Sequence, residues 1–278
     1  MDRDTLASSE KTITSRENRW LKRFRRALRS GKGFEDGCIG VEGVRLVEEA
    51  LRSGLEVPAL LVSSAGERHL ERLAPWLNQP GRPAIPLFRT SDRLFGTVAD
   101  TKTPQGVAAV VQPRIATFDD LLRGGTPLVV VLVGVQDPGN VGTIVRSAEA
   151  FGATGVVACR GTANPLAPKA VRASAGSALR LPILVDMAVS VLLAQLRVAG
   201  LKIYAASLSG GVRPGEAALR DPAAILVGNE GAGLPAAVER SADAMIHIPL
   251  APAIDSLNAA VAASVLLYEA ARQRALLT

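Results

Sequence analysis

Residues 128–133 read LVVVLV, an unbroken apolar and β-branched run that opens into a turn of Gly, Pro and polar residues at 136–142 and then into a helix. A run of this kind suits a strand buried on both faces of a parallel sheet, which limits the fold to α/β architectures with crossover helices. Pro138, Gly139 and Gly142 argue against an early helix start, and Asn140 can cap the helix that follows. Ala148 and Phe151 mark the buried face of that helix, and Gly152 marks its stop. The turn presents backbone N–H groups and the side chain of Arg146 at the carboxyl edge of a sheet, where α/β folds bind ligands.

The same alternation continues on both sides. Upstream, strands are predicted at 38–41, 59–63, 86–89 and 106–111, with helices at 44–53 and 67–77 and one capped near Ser91. This is a small α/β domain over 13–112, preceded by a disordered lead at 1–12. Pro113, Pro127 and the Gly124-Gly125 pair flank a short polar helix and place a linker at 113–126. Downstream, over 127–278, strands are predicted at 155–158, 201–206, 224–227 and 245–248, with helices beginning at 169 and spanning 188–198 and 258–275. The last helix carries Ala259, Ala260, Ala262, Ala263, Ala270 and Ala271. Alanine either lets a second helix approach closely there, within the chain or between subunits, or serves simply as the best helix former.

Charge is concentrated in one segment. Of a net +6, residues 16–32 supply +7: Arg16, Arg19, Lys22, Arg23, Arg25, Arg26, Arg29 and Lys32 stand against Glu17 alone, leaving −1 for the rest. Thr14 and Glu17 form a capping-box pattern, and Trp20, Leu21, Phe24 and Leu28 share one face of the helix they would open. Solvated helix faces usually mix signs, so this face reads as one that contacts phosphates. Aromatic residues make up 4% of the chain, which favours backbone and shape readout over base stacking. No stretch approaches the roughly 18 apolar residues of a membrane span, and the polar start has no signal-peptide core, so a cytoplasmic protein is expected. Cys38 and Cys159 read as buried hydrophobes, and the two histidines, His69 and His247, have no acidic or Cys cluster beside them, so no metal site is expected.

Three Gly- and polar-rich loops each follow an apolar strand, at 137–142, 228–233 and 248–258. None is a phosphate loop, and GNEGAGL lacks dinucleotide-binding spacing. In order and spacing the stretches DPGNVGTIVRSAEAFG, LVGNEGAGL and IPLAPAIDSLNAAVAASVLLYEA resemble the three signature motifs of the SpoU (TrmH-type) RNA ribose methyltransferases of the SPOUT superfamily. EGVRLVEEAL and its basic lead-in resemble the substrate-binding domain, similar to a ribosomal-protein fold, that many members carry. Pro252 and Ala253 depart from common glycines and Asp255 from a common Glu, in a variable loop.

The resemblance implies a homodimer with a deep trefoil knot in its carboxyl-terminal domain. It implies transfer of the methyl of S-adenosylmethionine to a ribose 2′-hydroxyl of RNA, ribosomal RNA first, with transfer RNA or a non-catalytic RNA-binding role as alternatives; no DNA partner is expected. Backbone groups of Gly228, Ile248 and Leu257 would hold the cofactor, while Asn140, Arg146, Glu230, Ser256 and Asn258 would line the transfer site. Arg16, Arg19, Lys22, Arg23 and Arg26 would contact RNA. Each site residue also has a plainer reading. Arg146 could pair with Glu149 or Glu230, Asn140 could cap its helix, Glu230 could tie loops together, and Ser256 or Asn258 could cap the last helix. Guanidinium stays protonated, so Arg146 suits phosphate binding and alkoxide stabilisation better than proton abstraction.

Overall fold

The computed structural model describes residues 11–29, 37–81 and 83–275. Two compact units emerge, one of Met1–Arg114 with Leu166–Arg172, the other of Ile115–Pro165 with Ala173–Thr278.

In the first unit, β1 (Lys11–Ile13), β2 (Ile39–Glu42), β3 (Glu56–Ser63), β4 (Leu87–Thr90) and β5 (Val107–Gln112) form a sheet in the order β1-β4-β3-β5-β2. β1, β4 and β3 run parallel, and β5 is antiparallel to both β3 and β2. Its helices are α1 (Arg19–Arg29), α2 (Val44–Arg52), α3 (Leu70–Leu77) and α4 (Asp92–Gly96). Leu21, Phe24 and Leu28 of α1 recur at helical spacing and are fully buried with Ala59, Leu61, Phe95 and Val110. Gly40 allows the close approach of α1 to β2: a Cβ there would lie 2.6 Å from the Ala27 carbonyl carbon. Ser91 caps α4, accepting from Leu94 N–H at 3.3 Å.

Two expectations change here. Lys11 and Thr12, assigned to a disordered lead, pair with Phe88 and Arg89 of β4, because a parallel edge was open to them and Thr90 Oγ1 donates to Ile13 O at 3.0 Å. Residues 1–10 and Lys32 lie outside the described residues. The capping box at Thr14 and Glu17 does not form; α1 begins later, where Asn18 Oδ1 accepts from Trp20 N–H at 2.9 Å, and Glu17 pairs with Lys22 instead. The segment 113–126, read as the linker, spans the boundary between the units. Arg114 donates to Ser53 O at 2.9 Å in the first unit, and Leu121 is fully buried in the core of the second.

That second unit contains β6 (Leu128–Leu132), α5 (Pro138–Ala150), β7 (Gly155–Cys159), β8 (Ile183–Met187), α7 (Val189–Val198), β9 (Lys202–Ser207), β10 (Ala223–Val227), α8 (Ala236–Glu239), β11 (Ala244–His247) and α9 (Ala259–Gln273), whereas α6 (Pro168–Ala173) groups over residues 168–172 with the first unit. Six strands lie in the order β11-β9-β10-β6-β7-β8, all parallel. β6, β7 and β10 are buried along their whole length, as continuous apolar runs require. Val129, Val131, Ile203, Ala205 and Leu226 face a core closed by Leu192, Leu193 and Leu196 of α7. Strand alternation sends Val130, Leu132 and Ile225 to the opposite side. α5 and α9 pack together there, with Ser147 and Ser264 hydroxyls 2.7 Å apart and the Phe151 and Tyr268 rings edge to face at 5.9 Å. Ala260, Ala263, Ala270 and Ala271 of α9 are all buried.

Candidate active site

The strand order makes one place special. From β6 the chain steps outward through β7 and β8, then crosses to place β10 on the other flank of β6. The carboxyl ends of β6 and β10 are therefore a topological switch point, where two loops diverge and leave a crevice. These are the loops that contain Asp137 and Glu230.

The β6 loop ends in a helix start that differs from expectation. α5 begins at Pro138, not after Asn140, and its N-cap is Asp137, whose carboxylate accepts from Gly139 N–H at 3.0 Å. Proline is well suited to the first helical position, since its ring presets φ and its missing N–H would have had no helical partner. Asn140, released from capping, sits inside the first turn and uses both ends of its amide. Its Nδ2 donates to Glu230 Oε1 at 2.9 Å, and its Oδ1 accepts from Asn258 Nδ2 at 3.0 Å. Asn258 in turn caps α9, accepting from Ala260 N–H at 2.9 Å and Val261 N–H at 3.3 Å. Three loops distant in sequence are thus joined by one chain of side-chain hydrogen bonds, Asn258 to Asn140 to Glu230.

Glu230 also accepts from the backbone N–H groups of Gln136 and Asp137, both at 3.1 Å. Partial burial pushes its pKa up, but the Asn140 amide and the two backbone donors outweigh this and hold the carboxyl below the usual carboxylate range. It is an ionised acceptor that takes three donors.

Arg146 lies further along α5, exposed, with no hydrogen bond or ion pair among the described residues. Neither proposed partner takes it. Glu149 makes a two-pronged pair with Arg180, at 2.7 and 2.6 Å, and Glu230 is committed as above. Ser256 is exposed and unbonded among the described residues, and it does not cap α9, because Asn258 does. Ile248 and Leu257 line a small apolar cleft with Ile246, Leu250, Ala262 and Leu266, beyond the carboxyl ends of β9 and β11. Gly228 is outside that cleft's lining. It is glycine for a local reason: a Cβ would lie 2.4 Å from the Gly233 carbonyl carbon where the loop folds back.

The basic helix divides in two. Arg25 donates to Thr97 O and Oγ1, each at 3.3 Å, and Arg29 to Ala99 O at 3.1 Å, so both brace the segment after α4. Arg23 is half-buried, 5.4 Å from the Trp20 ring centroid and 3.7 Å from Cys38 Sγ. Arg16, Arg19, Lys22 and Arg26 are exposed. Arg25 and Arg29, which were not among the predicted RNA contacts, thus reach back to carbonyls after α4.

Sequence reasoning missed Gln136 and Asn229. Gln136 Nε2 donates to Gly134 O at 3.1 Å and to Gly161 O, and Asn229 Nδ2 donates to Gly134 O at 2.8 Å. An Asn beside glycines in a tight loop is a turn-forming signal that could have singled out Asn229; nothing comparable marks Gln136.

Residues 127–268 match the SpoU rRNA Methylase family, and residues 25–109 match the MRM3-like substrate binding domain. The chain is 33% identical to the 23S rRNA (guanosine(2553)-2′-O)-methyltransferase RlmP of Bacillus subtilis, over 93% of this chain and 98% of the relative. Among solved structures it is similar to an AdoMet-bound rRNA methyltransferase from Sinorhizobium meliloti, with a TM-score of 0.84, 31% identity and coverage of 97% and 100%. It is also similar to the SpoU methyltransferase AviRb from Streptomyces viridochromogenes in complex with AdoMet, with a TM-score of 0.82, 29% identity and coverage of 93% and 98%.

Proposed function

The chain belongs to the SpoU rRNA methylase family, and on that premise we propose that it is an RNA 2′-O-methyltransferase that uses S-adenosylmethionine and acts on ribosomal RNA. The observation that carries this reading is the Asn258-Asn140-Glu230 chain, which gathers three motif loops at the switch point, while Arg146 of α5 is exposed and unpaired among the described residues.

The apolar cleft bounded by Ile246, Ile248, Leu250, Leu257, Ala262 and Leu266 offers the cofactor an apolar wall, and backbone groups of Gly228, Ile248 and Leu257 would hold its polar parts. When bound, the cofactor supplies a sulfonium methyl that is already electrophilic. What remains for the protein is to hold the ribose in line and make its hydroxyl more nucleophilic. Arg146 binds a phosphate next to the reacting ribose and stabilises the developing alkoxide. Glu230 is not the base, since its carboxylate is occupied by three donors. The proton leaves to water or to a substrate phosphate. Ser256 and Asn258 border the same site from the third loop.

Residues 13–112 form the substrate-binding domain, reading RNA through Arg16, Arg19, Lys22, Arg23 and Arg26, and 127–278 form the transferase domain with its trefoil knot. A homodimer and a cytoplasmic location complete the reading. Val261, Val265 and Tyr268 are 49%, 37% and 48% exposed at i, i+4 and i+7 on α9, an apolar stripe suited to a second copy. No helix among the described residues is long and apolar enough to cross a membrane. Mapping ribose methylation in RNA from cells with and without the protein tests the activity and separates ribosomal from transfer RNA. Calorimetry with S-adenosylmethionine tests the cofactor; absence of binding would leave a non-catalytic RNA-binding protein on the same fold.

A further inference from the structure

Asn229 stands between two residues with assigned roles, Gly228 and Glu230, and none of those roles uses it. Its side chain is nevertheless engaged at both ends. Oδ1 accepts from Gly231 N–H and Ala232 N–H, both at 2.9 Å, and so folds the loop onto itself. Nδ2 points the other way and donates to Gly134 O at 2.8 Å, across to the loop after β6. The backbone of Asn229 exchanges two hydrogen bonds with Gly233, at 2.9 and 3.0 Å.

Two consecutive residues therefore grip one turn at both ends with opposite polarity. Asn229 offers a donor to the carbonyl of Gly134, and Glu230 offers an acceptor to the N–H groups of Gln136 and Asp137. A slip along the turn would set donor against donor and carboxylate against carbonyl, so the pair specifies register as well as contact. The loop also folds closely on itself, since Gly228 packs against the Gly233–Leu234 backbone. Directly beyond the turn, Asp137 caps α5 and Asn140 begins the hydrogen-bond chain to Asn258.

We infer that Asn229 is a positioning residue for methyl transfer, fixing the 134–137 turn and through it Asn140 at the register the reacting ribose needs. The inference rests on the transferase reading above. Asn229→Asp is the sharpest variant: it keeps both acceptor contacts, loses the donor, and sets a carboxylate against the Gly134 carbonyl. Asn229→Ser, which also lacks that donor, stands beside it should the first fail to fold. Each is measured for Tm, for S-adenosylmethionine affinity by calorimetry, and for kcat and KM on an RNA that the wild type methylates. The expected result is cofactor affinity and RNA KM close to wild type, with kcat lower by about 10- to 100-fold, the scale of a small misplacement of reacting groups. Adding Glu230→Gln to Asn229→Asp should slow the enzyme no further than the worse single variant, because both hold one turn.

Unchanged kcat, or strictly additive losses, would overturn the inference. Loss of the native fold in both variants would assign Asn229 to stability and overturn it as well. A wild type that binds no S-adenosylmethionine defeats the transferase reading instead. Amide exchange then decides the positioning claim alone: faster exchange at Gln136 and Asp137 in Asn229→Asp supports it, and unchanged exchange refutes it.

Discussion

Arg146 has no hydrogen bond or ion pair among the described residues, so its hydrogen-bonding fork is open to a phosphate when RNA arrives. Replacing it by Lys keeps the charge but removes the planar fork, and kcat is expected to fall by about 10- to 100-fold, with Ala slower still; a Lys variant retaining most of the turnover in a single-turnover assay would remove the proposed role. Glu230 makes a prediction about pH. Its folded pKa is depressed, so the tie it makes is present above the unfolded-state value and is lost as pH falls through the folded one. The kcat profile should therefore show no Glu230 titration near neutrality, and Glu230→Gln should leave the shape of that profile intact while lowering stability by no more than about 1 kcal/mol in denaturant titrations, because the group is exposed. The difference between what was legible and what was not is visible in these residues. Asn140 was recognisable as a site residue, but the sequence pattern could not say that Asp137 would take the capping role and leave both ends of the Asn140 amide free. Capping depends on which of two nearby polar residues meets the backbone first, and here Pro138 decides in favour of Asp137.

Helix α9 is anchored at both ends by means that differ in visibility. Its amino end is capped by Asn258, as an Asn before an alanine-rich run suggests. At its carboxyl end, Arg274 donates to four carbonyls, those of Leu219 at 2.8 Å, Thr126 at 2.6 Å, Pro127 at 3.1 Å and Asp221 at 2.7 Å. Burial lowers its pKa against the nearby Asp221 charge, yet the cation has no carboxylate partner in these bonds. Arg274→Met, which keeps the stem and removes the donors, should cost about 2–3 kcal/mol and lower Tm by about 5–10 °C, read by calorimetry. Val265→Glu on the exposed stripe of the same helix should convert a dimer to monomer in sedimentation without lowering Tm of the monomer. Strands followed the same divide. The fully buried β6, β7 and β10 announce themselves as apolar runs, whereas β8 was not anticipated, because Pro182 precedes it, its residues are half-exposed, and Asp186 breaks its pairing with φ at 58°.

Charge is a property of the molecule as a whole, and the structure redistributes it. With Arg25 and Arg29 committed to backbone carbonyls, fewer cations remain for RNA than the composition of α1 promised. RNA affinity should still fall steeply with salt, and Arg16→Ala together with Arg19→Ala should reduce the slope of log affinity against log salt by roughly 1–2; identical slopes would exclude them from the interface. The two-unit division was readable from strand-helix alternation, but the placement of Leu166–Arg172 with the first unit was not, since nothing local in that segment reports which core it joins. The pairing of β6 with β10 has a consequence for how the protein is made. Leu128 waits for Ala223, so until the ribosome has delivered the later strand, β6 has an apolar flank with unpaired backbone groups. A product truncated before β10 is therefore an aggregation hazard rather than a smaller enzyme, and it should depend on holdase chaperones to stay in solution.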